Sequence, residues 1–245
     1  MFNRQKGARQ NQVFVGTTSN VVAALSLRSG ATVWRQVLDK EEKISQLQHA
    51  GNVVVSVSTS ARTLRAWSVE DGALIWDTHL KPLKRASAAS EILVIGATAE
   101  AGSLPDIAVL HDDTVTFRDA KTGQMQWSWS GAEGEQLLKL GSGPNGELFV
   151  LVGSGTGSVS VQEISIKTGK AAGSAKALSG SYKSDTQYLT SDAHIVMASE
   201  EGCGFGILAL GTSDVQQFSF GQGPLEGLDC KVSIRTTTHA HPAET

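Results

Sequence analysis

Few residues of this 245-residue chain have types and spacings that suit chemistry. His111-Asp112-Asp113 could act as a metal or acid–base cluster, but Asp and His are also common turn formers. Because the triplet falls between two strand-like runs, we predict a turn there. His239 and His241 offer two imidazoles to a metal, in a polar terminal stretch that we interpret as a disordered tail. We therefore predict no catalytic residue, no cofactor-binding residue and no metal ligand.

Two other groups of residues suggest a site at first sight. Cys203 and Cys230 fit both a disulfide and two free buried thiols, because the sequence does not show whether their Cα atoms approach within about 7 Å. The glycine-rich stretches 141–146 and 153–158 would suit a phosphate only if a helix followed them. Val159-Ser160-Val161 predicts a strand instead, so we interpret both stretches as β-turns.

Charge and hydropathy exclude several classes of protein. The net charge of −3 is too close to neutral to indicate a nucleic-acid partner. The short basic cluster 81–85 lacks interleaved aromatic residues, and a solvated loop explains it more simply than an anionic partner. No run of 18 apolar residues is present, so we predict no membrane span. The basic first ten residues precede no apolar stretch, and we predict no secretion signal.

A repeat organises the chain. Its copies read LSLRSGATVW (25–34), WSVEDGALIW (67–76), RDAKTGQMQW (118–127) and ISIKTGKAAG (164–173), and a degenerate fifth, LALGTSDVQQF, lies at 208–218. The marker glycines, Gly30, Gly72, Gly123 and Gly169, are spaced by 42, 51 and 46 residues. Tryptophan follows the first three glycines by four residues, as Trp34, Trp76 and Trp127. Periods in the forties with strand content are typical of propeller blades.

Each copy has the pattern of a β-hairpin. Apolar residues alternate or run on before a polar pair, and the glycine then supplies the positive φ that a tight turn requires. The tryptophan that follows is large enough to cover the gap between one small twisted sheet and the next. Trp67 and Trp129 are likewise assigned to core or inter-blade packing. Two further strand-like runs before each hairpin complete a four-stranded blade.

The fold class predicted is therefore all-β: a β-propeller of four-stranded antiparallel blades, about five in number. The predicted blades are 12–48, 49–90, 91–136, 137–180 and 181–232, between disordered segments at 1–11 and 233–245. Five blades are few for a closed ring, and the first run has no strand before it to complete its blade. We expect an incomplete ring, as in a fragment of a larger propeller.

The hairpin with its Gly-x-x-x-Trp spacing resembles the pyrroloquinoline-quinone-type propeller repeat. That repeat is found in quinoprotein dehydrogenases, in a bacterial outer-membrane assembly lipoprotein and in a eukaryotic scaffold. The stretch NVVAALSLRSGATVWRQV, residues 20–37, resembles the signature N-V-I-A-A-L-N-x-R-x-G-x-x-x-W-R-x-V of the amino-terminal luminal propeller in the endoplasmic reticulum membrane protein complex subunit 1 family. Arg65-Ala66-Trp67 and 72–76 continue the similarity, which weakens across the rest of 12–230.

The resemblance implies a non-catalytic scaffold on the luminal side of the endoplasmic reticulum membrane. Its partners would be the other subunits of the complex and, indirectly, the membrane-protein clients whose transmembrane segments the complex inserts. No cofactor is implied. One alternative is a quinoprotein dehydrogenase fragment, although the family's vicinal cysteine pair has no counterpart in Cys203 and Cys230. The other is a bacterial-type outer-membrane assembly scaffold, which would need a lipoprotein cysteine near its start.

Overall fold

A computed structural model describes residues 12–39, 42–58, 62–84, 90–96, 105–154, 158–178, 188–191, 194–198, 204–210 and 214–219. Within these residues the chain forms nineteen β-strands and no helix. The strands are grouped in five antiparallel sheets that follow one another along the chain. The predicted all-β propeller of four-stranded blades is thus confirmed. The residue limits predicted for the individual blades remain a prediction.

The first sheet has three strands in the described part of the chain. They are β1 (Gln12–Gly16), β2 (Val21–Ser26) and β3 (Thr32–Val37), and they pair in that order. Val22, Ala23 and Ala24 of β2 are all buried, which fits the continuous apolar run Val-Val-Ala-Ala-Leu.

The other four sheets have four strands each, paired in chain order. The second sheet contains β4 (Ile44–Ala50), β5 (Val53–Ser58), β6 (Thr63–Ser68) and β7 (Leu74–His79). The third contains β8 (Ser90–Ile95), β9 (Asp106–His111), β10 (Thr114–Asp119) and β11 (Met125–Ser130). The fourth contains β12 (Gln136–Ser142), β13 (Leu148–Gly153), β14 (Val159–Ile164) and β15 (Lys176–Ala177). The fifth contains β16 (Tyr188–Ser191), β17 (His194–Ala198), β18 (Gly204–Ala209) and β19 (Asp214–Ser219).

The position of a strand within its sheet correlates with how apolar the strand is. The first strands of successive sheets contact one another, β1 with β4, β4 with β8, β8 with β12 and β12 with β16, so they lie towards the centre of the arrangement. The second strands β5 and β13, Val-Val-Val-Ser-Val-Ser and Leu-Phe-Val-Leu-Val-Gly, are buried along their whole length. The last strands β7 and β11 are largely exposed and form the outer rim. Apolar side chains from facing sheets interleave between the blades and form the core.

The fourth copy of the repeat departs from the other three. Gly169 turns the chain as in the earlier copies, but only one isolated bridge, Ile164 to Ala171, follows it. The outer strand β15 then consists of two residues, paired with β14. Gly173, which occupies the position of the tryptophan, has a φ of +80° that interrupts a regular strand. The copy without tryptophan therefore has a shortened outer strand.

Candidate functional site: the joints between blades

The marker glycines all adopt the same left-handed conformation. The φ angles of Gly30, Gly72, Gly123 and Gly169 are +70°, +71°, +73° and +66°. In each turn the glycine N–H donates to the carbonyl four residues earlier, at 2.8 to 2.9 Å. These four turns therefore have one backbone geometry.

Short polar side chains close the turns. The Oγ atom of Ser68 accepts hydrogen bonds from the N–H groups of Glu70 and Asp71, and the carboxylate of Asp71 accepts one from Ala73 N–H at 3.1 Å. The Ser68 hydroxyl and the Ala73 N–H lower the pKa of Asp71 below its ordinary value. Asp119 acts like Ser68 in the third copy, where Thr122 N–H donates to it at 2.7 Å. The second residue of each polar pair thus helps to close the turn, because its side-chain oxygen accepts from the N–H group two residues later.

Each tryptophan packs on the glycine of the next copy, not of its own. A Cβ atom added to Gly72 would lie 2.6 Å from the Trp34 ring. The same distance separates such an atom on Gly123 from Trp76. On Gly169 it would lie 2.6 Å from Trp127. The indole therefore lies flat on bare backbone of the following blade, where only glycine leaves room.

A hydrogen bond fixes each ring in place. The Nε1–H group of Trp34 donates to the Val69 carbonyl at 3.0 Å, and that of Trp76 donates to the Ala120 carbonyl at 3.0 Å. Trp127 donates to the Ile166 carbonyl at 2.6 Å. Each acceptor lies three residues before a marker glycine. We call the bare face of such a glycine, together with this carbonyl, the indole dock.

A pair of glycine substitutions separates ring contact from backbone strain. In Gly123→Ala, the left-handed backbone costs about 1–2 kcal/mol and the clash with Trp76 adds about 1–3 kcal/mol. In Gly30→Ala, which has nothing within 4 Å of the added methyl group, we expect only the strain. Urea denaturation of both variants measures the difference in their free energies of unfolding. Equal losses in the free energy of unfolding would mean that Trp76 moves away from the added methyl group without an energetic penalty.

Polar side chains join the inner strands of neighbouring blades. The side-chain amide of Gln46 on β4 bonds both main-chain groups of Ile92 on β8: it donates to the carbonyl at 3.0 Å and accepts from the N–H at 2.5 Å. Glu91 repeats this contact one blade later, where it accepts from Leu140 N–H at 3.0 Å and pairs with Lys139 at 2.6 Å. These joints are therefore bound at the centre as well as at the rim.

A buried ion pair ties the segment before β4 to the second sheet. Both guanidinium NH₂ groups of Arg65 on β6 donate to the two carboxylate oxygens of Glu42, one of them at 2.8 Å. The side chains are 16% and 5% exposed, so the pair is largely removed from water. A bidentate geometry of this kind fixes orientation as well as neutralising charge.

The first joint also contains a stacked histidine. Phe14 stacks on His49 with a centroid distance of 5.3 Å and lies 6.1 Å from Trp34. Burial lowers the pKa of His49 below 6.5, against a smaller opposing effect from a hydrogen bond to Gly51. The fold therefore favours the neutral imidazole.

This shift predicts a pH dependence with a definite sign. Below the ordinary histidine pKa of about 6.5 the unfolded chain binds the proton that folded His49 resists, so stability falls as pH falls from about 6.5 towards the folded pKa. The His49→Phe variant keeps a ring in the stack and should show a flatter dependence over that window. Thermal unfolding at several pH values between 7.5 and 5 tests this. An unchanged slope in the variant would contradict it.

The His111-Asp112-Asp113 triplet forms the turn between β9 and β10, and Asp112 has a φ of +57°. The His111 ring joins three segments: Nε2–H donates to the Lys81 carbonyl at 2.7 Å, and Nδ1 lies 2.8 Å from the Ser90 hydroxyl. The Asp112 carboxylate accepts from Lys84 N–H at 3.3 Å. The triplet therefore anchors the connection that leads from the second blade to the third.

The remaining candidates add no chemistry within the described residues. Gly146 N–H donates to the Gly143 carbonyl at 3.0 Å, which is a β-turn before β13. Trp67 is buried and donates to Ser56, and Trp129 packs against the core. No three metal-binding side chains cluster in the part of the chain that is described. Cys203, Cys230, His239 and His241 lie outside it.

No helix that could cross a membrane is found in the described ranges. Antiparallel four-stranded sheets, joined by a tryptophan of one blade on the glycine of the next, define a β-propeller built from repeats of the pyrroloquinoline-quinone type. The sequence matches the family described as the EMC1 N-terminal beta-propeller domain over residues 1–244. The chain belongs to this family.

Two of the three curated relatives described here carry a name that agrees with this family. ER membrane protein complex subunit 1 of Gallus gallus is 42% identical over 72 residues, which are 28% of this chain and 7% of the relative. The Xenopus laevis protein of the same name is 26% identical over 136 residues, 54% of this chain and 13% of the relative. Outer membrane protein assembly factor BamB of Shewanella oneidensis is 37% identical over 81 residues, 30% of this chain and 20% of that protein. The chain thus spans a small share of these relatives.

Solved structures show the same fold. BamB from Moraxella catarrhalis superposes with a TM-score of 0.59 at 16% identity, over 86% of this chain and 61% of that chain. The dihydro-heme d1 dehydrogenase NirN superposes with a TM-score of 0.60 at 12% identity, over 88% of this chain and 45% of that chain. At these identities the likeness concerns the fold alone.

Proposed function

We propose that this chain is a non-catalytic scaffold of the ER membrane protein complex, on the luminal side, and that it supports the insertion of transmembrane segments of client proteins. Family membership across residues 1–244 is the observation that carries the proposal. Where two blades meet, a tryptophan of one blade packs on a marker glycine of the next. Nearer the centre, Gln46 and Glu91 bond the inner strand of the next blade. These contacts fix the blades relative to one another, as a rigid scaffold requires.

The outer rim offers a surface for other subunits. Leu74 and Ile75 on β7 are 51% and 42% exposed, although both are large and apolar, and Met125 on β11 is 50% exposed. Neighbouring exposed apolar side chains are typical of protein contact surfaces. We therefore expect the outermost strands to contact the other subunits of the complex.

Affinity purification tests the proposal. The tagged full-length gene product is purified from membranes solubilised in mild detergent, and co-purifying proteins are quantified by mass spectrometry. Subunits of the ER membrane protein complex should be recovered in near-equal amounts. If none co-purifies, the proposal fails. Insertion of a reporter membrane protein should also fall when the gene product is depleted and recover on re-expression.

A matched pair of rim variants locates the contact. Leu74→Ser combined with Ile75→Ser removes the apolar side chains from an exposed strand and should reduce recovery of other subunits several-fold. The control, Asp77→Ser, changes an exposed residue of the same strand and should leave recovery unchanged. Circular dichroism verifies that both proteins fold. Equal recovery with both variants would remove β7 from the contact surface.

A further inference from the structure

The tip of the hairpin between β12 and β13 carries a chemically labile pair of residues. Of the five asparagines in the sequence, only Asn145 is followed by glycine. The main-chain nitrogen of the residue after an asparagine can attack the side-chain amide carbon, and Gly146, which has no side chain, hinders that attack least. Asn145 is exposed and Gly146 is half-buried, so water reaches both residues.

Two backbone hydrogen bonds define this hairpin tip. Gly143 N–H donates to the Glu147 carbonyl at 2.9 Å, and Gly146 N–H donates to the Gly143 carbonyl at 3.0 Å. Gly146 has a φ of +83°, as in three-residue hairpin loops, where a left-handed glycine follows the turn. The nitrogen that would attack Asn145 is therefore already held through its proton.

The side chain of Glu147 folds back over the turn and binds Asn145 twice. Its Oε2 accepts from Asn145 N–H at 3.0 Å, and its Oε1 accepts from Asn145 Nδ2 at 2.9 Å. A Cβ atom on Gly143 would overlap Oε2 of Glu147, so the bare glycine leaves room for the carboxylate. The hydrogen bond from the Asn145 side chain is the main cause that lowers the pKa of Glu147, which keeps the carboxylate ionised at neutral pH.

We propose that Asn145 is a site of spontaneous deamidation, and that the Glu147 carboxylate slows this reaction in the folded chain. The Gly146 nitrogen forms a bond to Asn145 Cγ, the Cγ–Nδ2 bond breaks, and Nδ2 leaves as ammonia with the proton that the Gly146 nitrogen loses. Water then opens the cyclic imide. Opening at Cγ gives aspartate, and opening at the main-chain carbonyl carbon gives isoaspartate, in which the main chain runs through the former side chain.

The hydrogen bonds of the turn oppose this reaction. The bond from Nδ2 to Glu147 fixes the side-chain amide, and the bond from Gly146 N–H to Gly143 fixes the attacking nitrogen, so both must break before nitrogen and Cγ meet. After deamidation a second carboxylate faces Glu147 where an N–H group faced it before, and the like charges repel. The reaction thus loosens one end of β12, the strand that contacts the sheets on both sides.

Mass spectrometry of the full chain tests this proposal. The folded protein is incubated at neutral pH, and conversion of Asn145 is followed over time in the proteolytic peptide that contains it. Glu147→Ala should raise the rate about three- to tenfold, because it removes both side-chain bonds and leaves the backbone turn. The control Glu135→Ala removes a carboxylate that closes a turn before β12, through Ala132 N–H at 2.7 Å, and should leave the rate unchanged.

The unfolded chain supplies the reference rate. In urea the unaltered protein and Glu147→Ala should convert equally fast, at least about tenfold faster than the folded unaltered protein. Glu147→Gln keeps the size of the side chain and one acceptor oxygen, so its folded rate should lie between those of the other two proteins, and circular dichroism verifies that each variant folds. Equal folded rates for the unaltered protein and Glu147→Ala, a difference between them that persists in urea, or faster conversion at another asparagine would overturn the proposal.

Discussion

Replacing Trp34 with alanine should lower the free energy of unfolding by about 3–5 kcal/mol, the usual cost of truncating a large buried aromatic side chain. Trp34 is 7% exposed and fills the first joint between Gly72 and Phe14. Its loss leaves a cavity at the joint and an unpaired Val69 carbonyl. Equilibrium urea denaturation followed by circular dichroism measures the effect.

Trp34→Phe separates the two contributions. It keeps an aromatic ring on Gly72 but removes the hydrogen bond to Val69, so we expect a loss of about 1–3 kcal/mol. Hydrogen exchange should show the change at 69–72 in both variants, because these residues form the dock. A Trp34→Ala protein within about 1 kcal/mol of the original would show that the first joint closes without the ring.

Replacing Arg65 with methionine should cost about 3–5 kcal/mol, because it leaves the carboxylate of Glu42 buried without its partner. The double variant Glu42→Met/Arg65→Met removes both charges and keeps the apolar volume. We expect it to regain most of the loss, since a buried ion pair is often no more stabilising than well-packed apolar residues. The comparison is a double-mutant cycle measured by urea denaturation.

The coupling energy between Glu42 and Arg65 decides whether the ion pair stabilises the fold. If the double variant is about as destabilised as the sum of Arg65→Met and Glu42→Met measured alone, the two residues act independently and the ion pair does not hold the segment before β4 to the second sheet. The exposed Arg28→Met is the matched control. It replaces an arginine with the same residue where no carboxylate partner is found in the described structure, and it should change stability by less than about 0.5 kcal/mol.

The repeat itself could be predicted because each of its signals is local. A glycine after a polar pair indicates a tight turn, and alternating apolar residues on both sides indicate its strands. The blade-to-blade contacts could not be predicted in this way. Trp34 meets a glycine of another copy, and the sequence spacing does not show whether a tryptophan packs on its own turn or on the next one.

The side-chain hydrogen bonds between the inner strands of neighbouring blades could not be predicted either, for a different reason. Gln46 and Glu91 each bond main-chain groups of the next blade, and a main-chain partner has no sequence signature. A single polar residue in an inner strand looks like an ordinary solvent-facing position. The same applies to His111, whose turn was predictable from its neighbours but whose contact with the Lys81 carbonyl was not.

Each tryptophan that follows a marker glycine contacts the following repeat, and this order affects how propellers of this type gain or lose blades. Each of the first three repeats gives an indole to its successor, and the second and third also receive one from their predecessor, so one sequence unit carries both halves of the interface. Duplicating or losing one of the first three units leaves every remaining interface matched, whereas a break within a unit spoils two. Because stability in repeat architectures depends mainly on nearest neighbours, such gains and losses need few compensating substitutions. The number of blades can thus vary among descendants of one ancestral gene.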